Sequence, residues 1–301
     1  MDTIVREQTA VLKRGYVGAR ITDYVQLLKF RLSFLVVFSA LVTYLTASQG
    51  AVNWFEFAML ALGGFLVTGS SNGINQIIEK DYDKLMVRTS KRPVATGRLG
   101  VWEAALICLV MGVSGVFIIG KYLNQLSGLL ALISLVLYAF VYTPMKRVSP
   151  ISVFVGAFPG AIPAMLGWVA FTGKLDLPAI IFFTVQFFWQ FPHFWSIAWV
   201  LDEDYKRAGF RMLPSTAGRG RLTALQTLAF SLVLIPVGML PTQYGITGIT
   251  SAIIGIAGGL MLSYFAFRLF RSCETKDAKK LMFASFIYLP LVQLAYLIDK
   301  I

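Results

Sequence analysis

The chain has 301 residues, of which 57% are hydrophobic and only 14% are charged, and its mean hydropathy is +0.70. A soluble domain usually carries about 25% charged residues, so this composition excludes an ordinary globular enzyme. It predicts one polytopic membrane domain over residues 1–301. The net charge of +12 could indicate a nucleic-acid partner, but the basic residues lie in loops between apolar segments. We therefore expect contact with membrane lipid and none with nucleic acid.

Nine apolar segments have about the 20 residues that are needed to cross a bilayer. A largely polar N-terminal segment, residues 1–27, precedes them, and its acidic residues and lack of an apolar stretch argue against a cleaved leader. The segments cover residues 32–48, 54–78, 101–120, 126–143, 151–171, 178–200, 223–241, 249–270 and 282–298. The predicted fold class is therefore all-α, with nine transmembrane helices and with the two termini on opposite sides of the membrane.

Lysine and arginine are distributed unevenly over the predicted loops. The N-terminal segment and alternate loops hold all of them except Lys121, Lys174 and Lys300. By the positive-inside rule these basic segments lie in the cytoplasm. We therefore expect a multi-pass protein of a bacterial inner membrane, with a cytoplasmic N-terminus and with the C-terminus on the opposite side.

The second predicted helix runs into the sequence Asn75-Gln-Ile-Ile-Glu79-Lys-Asp81-Tyr-Asp83. Asn75, Glu79 and Asp83 are four residues apart, so a helix places them on one face, and Asp81 points away from that face. Such oxygen ligands suit Mg²⁺, which takes one or two carboxylates and then phosphate oxygens of a substrate. A solvated helix end that carries several charges explains this loop alone equally well.

A second acidic cluster, Asp202-Glu203-Asp204, follows the sixth predicted helix and lies on the same predicted membrane face. The correspondence suggests an internal repeat of two four-helix halves followed by a ninth helix, and such repeats often frame a site between the halves. Two acidic walls brought together need cations to offset their repulsion, which a diphosphate held by Mg²⁺ would satisfy. The candidate catalytic residues are Asn75, Glu79, Asp83 and Asp204, and the candidate metal ligands are these four and Asp202.

Basic side chains beside both clusters are candidates for holding the phosphate groups. Arginine can grip a phosphate with two parallel hydrogen bonds, whereas lysine acts as a point charge. A role in setting the membrane topology explains any one of these residues about as well. The candidates are Arg88, Lys91, Arg92, Lys146, Arg147 and Lys206.

His193, the only histidine of the chain, falls within the sixth predicted helix beside Pro192. Proline interrupts the hydrogen bonding of a helix and frees backbone groups. An ionisable side chain inside the membrane indicates a functional site by default. A hydrogen bond to a neighbouring helix is the alternative explanation, and the residues alone do not decide between the two.

The spacing Asn75-x-x-x-Glu79-x-x-x-Asp83 resembles the first motif of the UbiA superfamily of intramembrane prenyltransferases. Five blocks in order, over nearly the whole chain from about residue 20, resemble its haem O synthase (protohaem IX farnesyltransferase) branch. Glu79 stands where the superfamily more often has aspartate, and the second motif is compressed, which leaves open whether Asp202 or only Asp204 binds metal. The five blocks are Asn75–Pro93, Tyr142–Arg147, Gly156–Trp168, Trp189–Trp195 and Asp204–Pro214.

The resemblance implies a reaction and a set of substrate contacts. A farnesyl group would pass from farnesyl diphosphate to the vinyl group of haem b, water would complete the product, haem O, and Mg²⁺ would hold the diphosphate. Haem O would serve terminal-oxidase haem biosynthesis, with a haem-delivering protein or haem A synthase as the expected protein partner. His193 would contact the haem, as an iron ligand or by positioning the ring. The other substrate contacts would come from Arg88, Lys91, Arg92, Tyr142, Lys146, Arg147, Tyr205 and Lys206.

Three other functions stay open at this point. A UbiA prenyltransferase that acts on an aromatic acid or a quinone precursor is the nearest alternative, and the block Trp189–Trp195 favours haem over it. A secondary transporter of an anionic solute fits the repeated halves, although transporters tend to place charges near the bilayer midplane and these carboxylates cluster at one face. A non-catalytic haem-handling protein leaves the two acidic clusters unexplained.

Overall fold

The computed structural model describes residues 18–215 and 218–301, so residues 1–17 of the predicted N-terminal segment lie outside the described part of the chain. The described residues form helices joined by turns and loops, and an isolated β-bridge between Thr247 and Lys300 is the only strand-like pairing among them. The first helix, α1, covers residues 18–27. The other helices are α2 (Phe30–Ala47), α3 (Trp54–Ile78), α4 (Lys80–Asp83), α5 (Val101–Tyr122), α6 (Gln125–Val136), a π-helical turn (Leu137–Tyr142), α7 (Thr143–Val148), α8 (Ser152–Thr172), α9 (Leu177–Val200), α10 (Asp202–Arg207), α11 (Arg221–Gln243), α12 (Ile249–Ser272) and α13 (Thr275–Ile298).

Polar residues at the ends of the apolar segments begin several of these helices. The side-chain oxygen of Asn53 accepts hydrogen bonds from the first backbone N–H groups of α3, and Asn124 and Asp176 do the same for α6 and α9. These caps satisfy donors that have no partner within the helix. At the other end of α8, Gly173 adopts a left-handed conformation (φ 70°) that stops the helix.

The all-α, polytopic fold class is confirmed. By length and composition, eight of the described helices can cross a membrane when α6, the π-helical turn and α7 are counted as one span. The predicted count of nine also included α9, which is 24 residues long but is not among the eight. Gln186, Gln190 and His193 lower its hydropathy, and all three are buried inside the bundle.

The last helix begins at Thr275, earlier than the predicted start at residue 282. The predicted segment started only after residues 274–280, because their charged side chains lower the hydropathy of this stretch. In the structure Asp277 is buried within the helix, where it accepts a hydrogen bond from Ser272 (2.7 Å) and pairs with Arg268 (3.2 Å). Because the charge is paired inside the bundle, the helix continues through this region.

The long helices form a closed ring, and further contacts join α2 to α8 and α9 to α13. Each long helix of the described chain packs against the next one along the sequence, and α13 packs against α2. Close approaches occur at glycines: a Cβ atom on Gly115 of α5 would lie 2.8 Å from the Gly63 oxygen of α3, and one on Gly255 of α12 would lie 2.8 Å from the Gly238 oxygen of α11. Small residues allow this proximity in membrane helix packing.

Three segments meet at one end of the ring, which we call the basic end: residues 79–100, 144–150 and 201–215. The Asp204 carboxylate contacts the backbone of Val87 and Arg88 in the first loop. The Arg211 backbone N–H donates to the Lys146 carbonyl oxygen over 2.7 Å. The two acidic loops are therefore joined at the same end of the bundle.

Candidate active site

A cavity of about 470 Å³ lies inside the ring of helices. At the basic end its wall includes the side chains of Glu79, Arg92 and Lys146, and further into the bundle it includes His193 and Gln293. Polar and ionisable groups that face such an interior space in a membrane bundle are the usual mark of a functional site.

Asn75, Glu79 and Asp83 lie on one buried helical face. Although α3 ends at Ile78, the helical hydrogen bonds continue, from Glu79 N–H to the Asn75 oxygen (3.0 Å) and from Asp83 N–H to the Glu79 oxygen (2.8 Å). Asn75 and Glu79 line the cavity, whereas Asp83 lies behind the wall. Asp81 is exposed and pairs with its neighbour Lys84, so it points away from this face.

Three cations hold the polar atoms of this face. Lys29 Nζ donates to Asn75 Oδ1 (3.1 Å), and Lys146 Nζ donates to Glu79 Oε1 (2.9 Å). Arg92 Nη1 donates to both oxygens of Asp83, over 2.7 and 2.8 Å. The two acids of this face are therefore paired with Lys146 and Arg92, and its amide is bonded to Lys29.

Cations outnumber acids on the cavity wall. Glu79 is the only carboxylate among the described wall residues, and four cationic side chains face it: Lys29, Arg88, Arg92 and Lys146. Burial lowers the pKa of the Lys29 ammonium well below its usual range, and the nearby charges of Arg92 and Lys146 lower it further. Burial also raises the pKa of the Asp83 carboxyl group behind the wall, although its pairing with Arg92 opposes this shift. The excess of positive charge on the cavity wall attracts a polyanion.

Sequence reasoning missed Lys29. It stands one residue before α2, where lysine commonly sets membrane topology, so nothing in the sequence distinguished it from such a residue. Its role becomes visible only because α2 packs against α3 and brings the ammonium group to Asn75.

The π-helical turn shapes the wall beside Glu79. Its wider hydrogen bond runs from Thr143 N–H to the Tyr138 oxygen, and both Tyr138 and Tyr142 line the cavity. Lys146 Nζ lies 4.7 Å from the centre of the Tyr142 ring, and a Cβ atom on Gly156 would come within 2.6 Å of that ring. Gly156 therefore leaves the space that the tyrosine occupies, and a π-helical turn of this kind is common at functional sites.

The acids of the second cluster bind other parts of the protein and do not face the cavity. The Asp204 carboxylate accepts hydrogen bonds from the backbone N–H groups of Val87 and Arg88, each over 3.1 Å. Asp202 pairs with Lys206 (2.8 Å) and Arg219 (3.0 Å). Neither acid lines the cavity, and their assignment as metal ligands stays a prediction.

Three predicted phosphate contacts also lie off the wall, whereas two predicted tyrosines lie on it. Arg147 stacks over the Tyr82 ring, 4.0 Å from its centre. Lys206 pairs with Asp202 in the second loop, and Lys91 is not among the residues that line the cavity. Tyr142 and Tyr205 line it.

The described residues contain no group of three histidine, cysteine, aspartate or glutamate side chains arranged to hold a metal ion. Asn75 and Glu79 nevertheless present two hard oxygen donors to the cavity from adjacent helical turns. Mg²⁺ usually takes one or two carboxylates and completes its shell with substrate phosphates and water. The donor set therefore fits a Mg²⁺ ion that arrives with a phosphorylated substrate.

His193 lies in the deeper wall and is 8% exposed. Its Nδ1 atom is 2.9 Å from the Ser285 hydroxyl on α13, and its ring stacks on Trp189, with 4.4 Å between ring centres and 19° between planes. The histidine therefore both bonds to a neighbouring helix and faces the cavity, so the two explanations left open by the sequence are compatible.

A polar network lines the deepest part of the cavity. Gln293 Nε2 donates to Gln186 Oε1 (3.0 Å), and Ser39 donates to Gln293 Oε1 (3.2 Å). Gln186 Nε2 donates to the Gly160 carbonyl oxygen (2.7 Å). The sequence did not indicate these residues, because single amides within apolar segments form no motif.

Comparison with known proteins identifies the class. The model of the UbiA prenyltransferase family matches residues 36–289, which is most of the chain. The chain belongs to this family.

Within this family, several curated relatives share one name. A protohaem IX farnesyltransferase of Cytophaga hutchinsonii is 47% identical, over 92% of this chain and 97% of the relative. Proteins with the same name from Flavobacterium johnsoniae and Gloeobacter violaceus are 42% and 35% identical, over 92% and 94% of this chain and 94% and 93% of the relative. The resemblance to this branch is confirmed.

Solved structures show the same fold at low identity. A UbiA homologue from Archaeoglobus fulgidus bound to GPP and Mg²⁺ has a TM-score of 0.70 and 16% identity, over 91% of this chain and 99% of that one. A structure described as digeranylgeranylglyceryl phosphate synthase has a TM-score of 0.78 and 19% identity, over 93% and 98%. These likenesses support the polytopic α-helical architecture.

Proposed function

We propose that this chain transfers a farnesyl group from farnesyl diphosphate to the vinyl group of haem b and so makes haem O for terminal oxidases. The observation that carries the proposal is one cavity with two kinds of wall. Cations around Glu79 form one part, and aromatic side chains around His193 form the other. The relatives named protohaem IX farnesyltransferase support haem as the acceptor over an aromatic acid or a quinone precursor.

The diphosphate belongs at the basic end. Asn75 and Glu79 would hold Mg²⁺ there, which supplies charge neutralisation at the departing diphosphate. Arg88, Arg92 and Lys146 stand on the same wall and would bind the remaining phosphate oxygens. Electrostatic stabilisation of this kind is commonly the largest contribution to catalysis.

Asp83 and Asp204 would act from behind this wall. Asp83 holds the guanidinium group of Arg92 through both carboxylate oxygens. Asp204 holds the backbone of Val87 and Arg88. We therefore propose that these two acids position the phosphate-binding arginines.

The reaction balances within this cavity. The bond between farnesyl C1 and the diphosphate oxygen breaks, and a bond forms between C1 and the terminal vinyl carbon of haem b. Water then adds to the inner vinyl carbon, and one proton is released. Trp189, Phe194 and Phe286 line the acceptor part of the cavity, and their apolar faces limit the access of other water molecules to the allylic cation.

The cellular setting follows from the proposed reaction and the charge pattern. We propose a bacterial inner membrane, with the basic end in the cytoplasm. A protein that delivers haem b, or a haem A synthase that takes up the product, would be the partner.

Incubation of the purified, lipid-reconstituted protein with haem b, farnesyl diphosphate and Mg²⁺ tests the proposal. We expect a product with the mass of haem b increased by one farnesyl and one hydroxyl group, and we expect a chelator to prevent its formation. A parallel incubation replaces haem b with 4-hydroxybenzoate. A prenylated product from 4-hydroxybenzoate and none from haem b would refute the assignment.

A further inference from the structure

The hydrogen bonds of Ser285 determine the tautomer of His193. The Ser285 hydroxyl lies 2.7 Å from the Met282 carbonyl oxygen, to which it donates, and 2.9 Å from His193 Nδ1. A serine hydroxyl has one hydrogen to donate, and a carbonyl oxygen can only accept it. The Ser285 oxygen must therefore accept a hydrogen bond from His193, so Nδ1 carries the proton and Nε2 carries the lone pair.

Nε2 of His193 has no hydrogen-bond donor among the described residues. Ser285 is the only described hydrogen-bond partner of the ring, and the ring lines the cavity. An imidazole with Nδ1 held in this way presents Nε2 as a neutral ligand, which is the form that binds metals.

Ser285 also holds the aromatic surface on which His193 rests. The Trp189 indole N–H donates to the Ser285 carbonyl oxygen over 2.9 Å. The Trp189 ring stacks on His193, and the Phe286 ring meets His193 edge-on, with 4.9 Å between ring centres. The imidazole plane is therefore fixed by three ring contacts, the third from Phe194, and by one hydrogen bond, before any substrate enters.

We propose that Ser285 is a positioning residue that holds His193 in the Nδ1–H tautomer, so that Nε2 binds the iron of the haem substrate. This inference rests on the proposed function, since it takes haem as the acceptor. Histidine ligands of metals typically donate their other N–H to a fixed acceptor, and loss of that acceptor typically lowers metal affinity by about 10- to 100-fold. A bond from Nε2 to the iron would hold the porphyrin by its centre and would leave a vinyl group at its edge free to react.

Haem titrations of the full-length protein test this role through absorbance and resonance Raman spectra. We expect histidine-ligated haem in the wild type, loss of that signature in His193→Gly, and its return when imidazole is added to His193→Gly. In Ser285→Ala we expect haem affinity to fall by about 10-fold and the iron–histidine vibration to shift. Ser285→Cys retains a weak acceptor, and we expect an intermediate effect.

Ser231→Ala is the matched control. Ser231 is also fully buried and donates to a backbone oxygen of its own helix, that of Thr227 (2.8 Å), but it does not line the cavity. We expect wild-type haem spectra in this variant. Binding of farnesyl diphosphate to every variant shows that the basic end is folded.

The outcomes separate this inference from the proposed function. If the wild type binds haem and makes the farnesylated product, but Ser285→Ala keeps the wild-type haem affinity and spectrum, the inference is refuted and the function stands. If His193→Gly loses turnover with an unchanged spectrum, the histidine transfers protons instead of binding iron, which also refutes it. If the wild type makes no product from haem b, the proposed function is refuted first.

Discussion

The two acidic loops begin with similar helix junctions but place their acids differently. α3 and α4 meet at Glu79 (φ −91°, ψ 5°), and α9 and α10 meet at Leu201 (φ −100°, ψ 14°). Helical hydrogen bonds cross both junctions, from Asp83 N–H to the Glu79 oxygen (2.8 Å) and from Tyr205 N–H to the Leu201 oxygen (3.0 Å). Leu201 therefore corresponds to Glu79, and Tyr205 corresponds to Asp83.

The correspondence shows that the second cluster is out of register with the first. Ile197 takes the position of Asn75, so the second loop presents isoleucine, leucine and tyrosine where the first presents an amide and two carboxylates. Glu203 corresponds to Asp81, and their side chains are 66% and 64% exposed. The spacing of acids along a helix, rather than their number, decides which of them face the interior.

The largest effect should come from the cavity carboxylate. Glu79→Gln keeps the size of the side chain and an oxygen for Lys146 but removes the negative charge, so we expect kcat to fall by about 10²–10³-fold. Glu56→Gln is the control, because Glu56 lies at the other end of α3 and does not line the cavity. Steady-state assays with haem b and farnesyl diphosphate measure both. Near-normal turnover in Glu79→Gln would contradict the view that only the first acidic loop supplies a carboxylate to the active site.

A smaller effect should follow when the support of Arg92 is lost. Asp83→Asn leaves the guanidinium without its carboxylate, and removal of one partner of a buried ion pair typically costs about 3–5 kcal/mol of stability. We expect turnover to fall by about 10- to 100-fold and the thermal unfolding midpoint to drop. If Asp83 acts through Arg92, the double variant Asp83→Asn/Arg92→Gln should have the same turnover as Arg92→Gln. Additive losses would instead give Asp83 a direct role, such as metal binding.

Asp204 tests whether the second loop only positions the first. Asp204→Asn can still accept one backbone hydrogen bond, and a hydrogen bond to a charged group contributes about 1.5–3 kcal/mol. We therefore expect a change of about 10-fold, which appears mainly as a higher KM for farnesyl diphosphate because the Val87–Arg88 backbone is less fixed. A loss of kcat as large as that of Glu79→Gln would mean that Asp204 is a metal ligand after all.

Lys29 gives the basic end a pH dependence. Because its pKa is lowered in the free protein, and a bound diphosphate favours the charged ammonium, binding takes up a proton once the pH exceeds the lowered pKa. The affinity for farnesyl diphosphate should therefore fall as the pH rises through that value, by at most about 10-fold per unit. Arginine stays charged over this range, so the affinity of Lys29→Arg for farnesyl diphosphate should change less with pH. Ionisation of the diphosphate affects both proteins equally, so the difference between the two profiles reports Lys29. Parallel profiles in the two proteins would contradict this role.

Local spacing predicted part of the site, and packing between distant segments determined the rest. The face of Asn75, Glu79 and Asp83 and the exposure of Asp81 follow from helical periodicity alone. The same periodicity places Asp202 and Asp204, which are two residues apart, on different faces of a helix. Both were predicted as metal ligands because the cluster is acidic, and their spacing was not considered. Contacts that join α2 to α3, or α9 to α13, leave no local pattern, and so Lys29 and Ser285 could not be recognised from the sequence.

The smallest effects should come from the pair of acids that correspond to each other on the outside of the two loops. Asp81→Asn and Glu203→Gln each remove an exposed charge, and surface substitutions usually change stability by less than about 0.5 kcal/mol, so we expect kcat and KM within about twofold of the wild type. Both variants carry the same change in net charge as Glu79→Gln, which makes them controls for long-range electrostatics. A tenfold loss of turnover in Asp81→Asn would show that the 79–100 loop turns when substrate binds, and that the face of α3 described above is not the one used in catalysis.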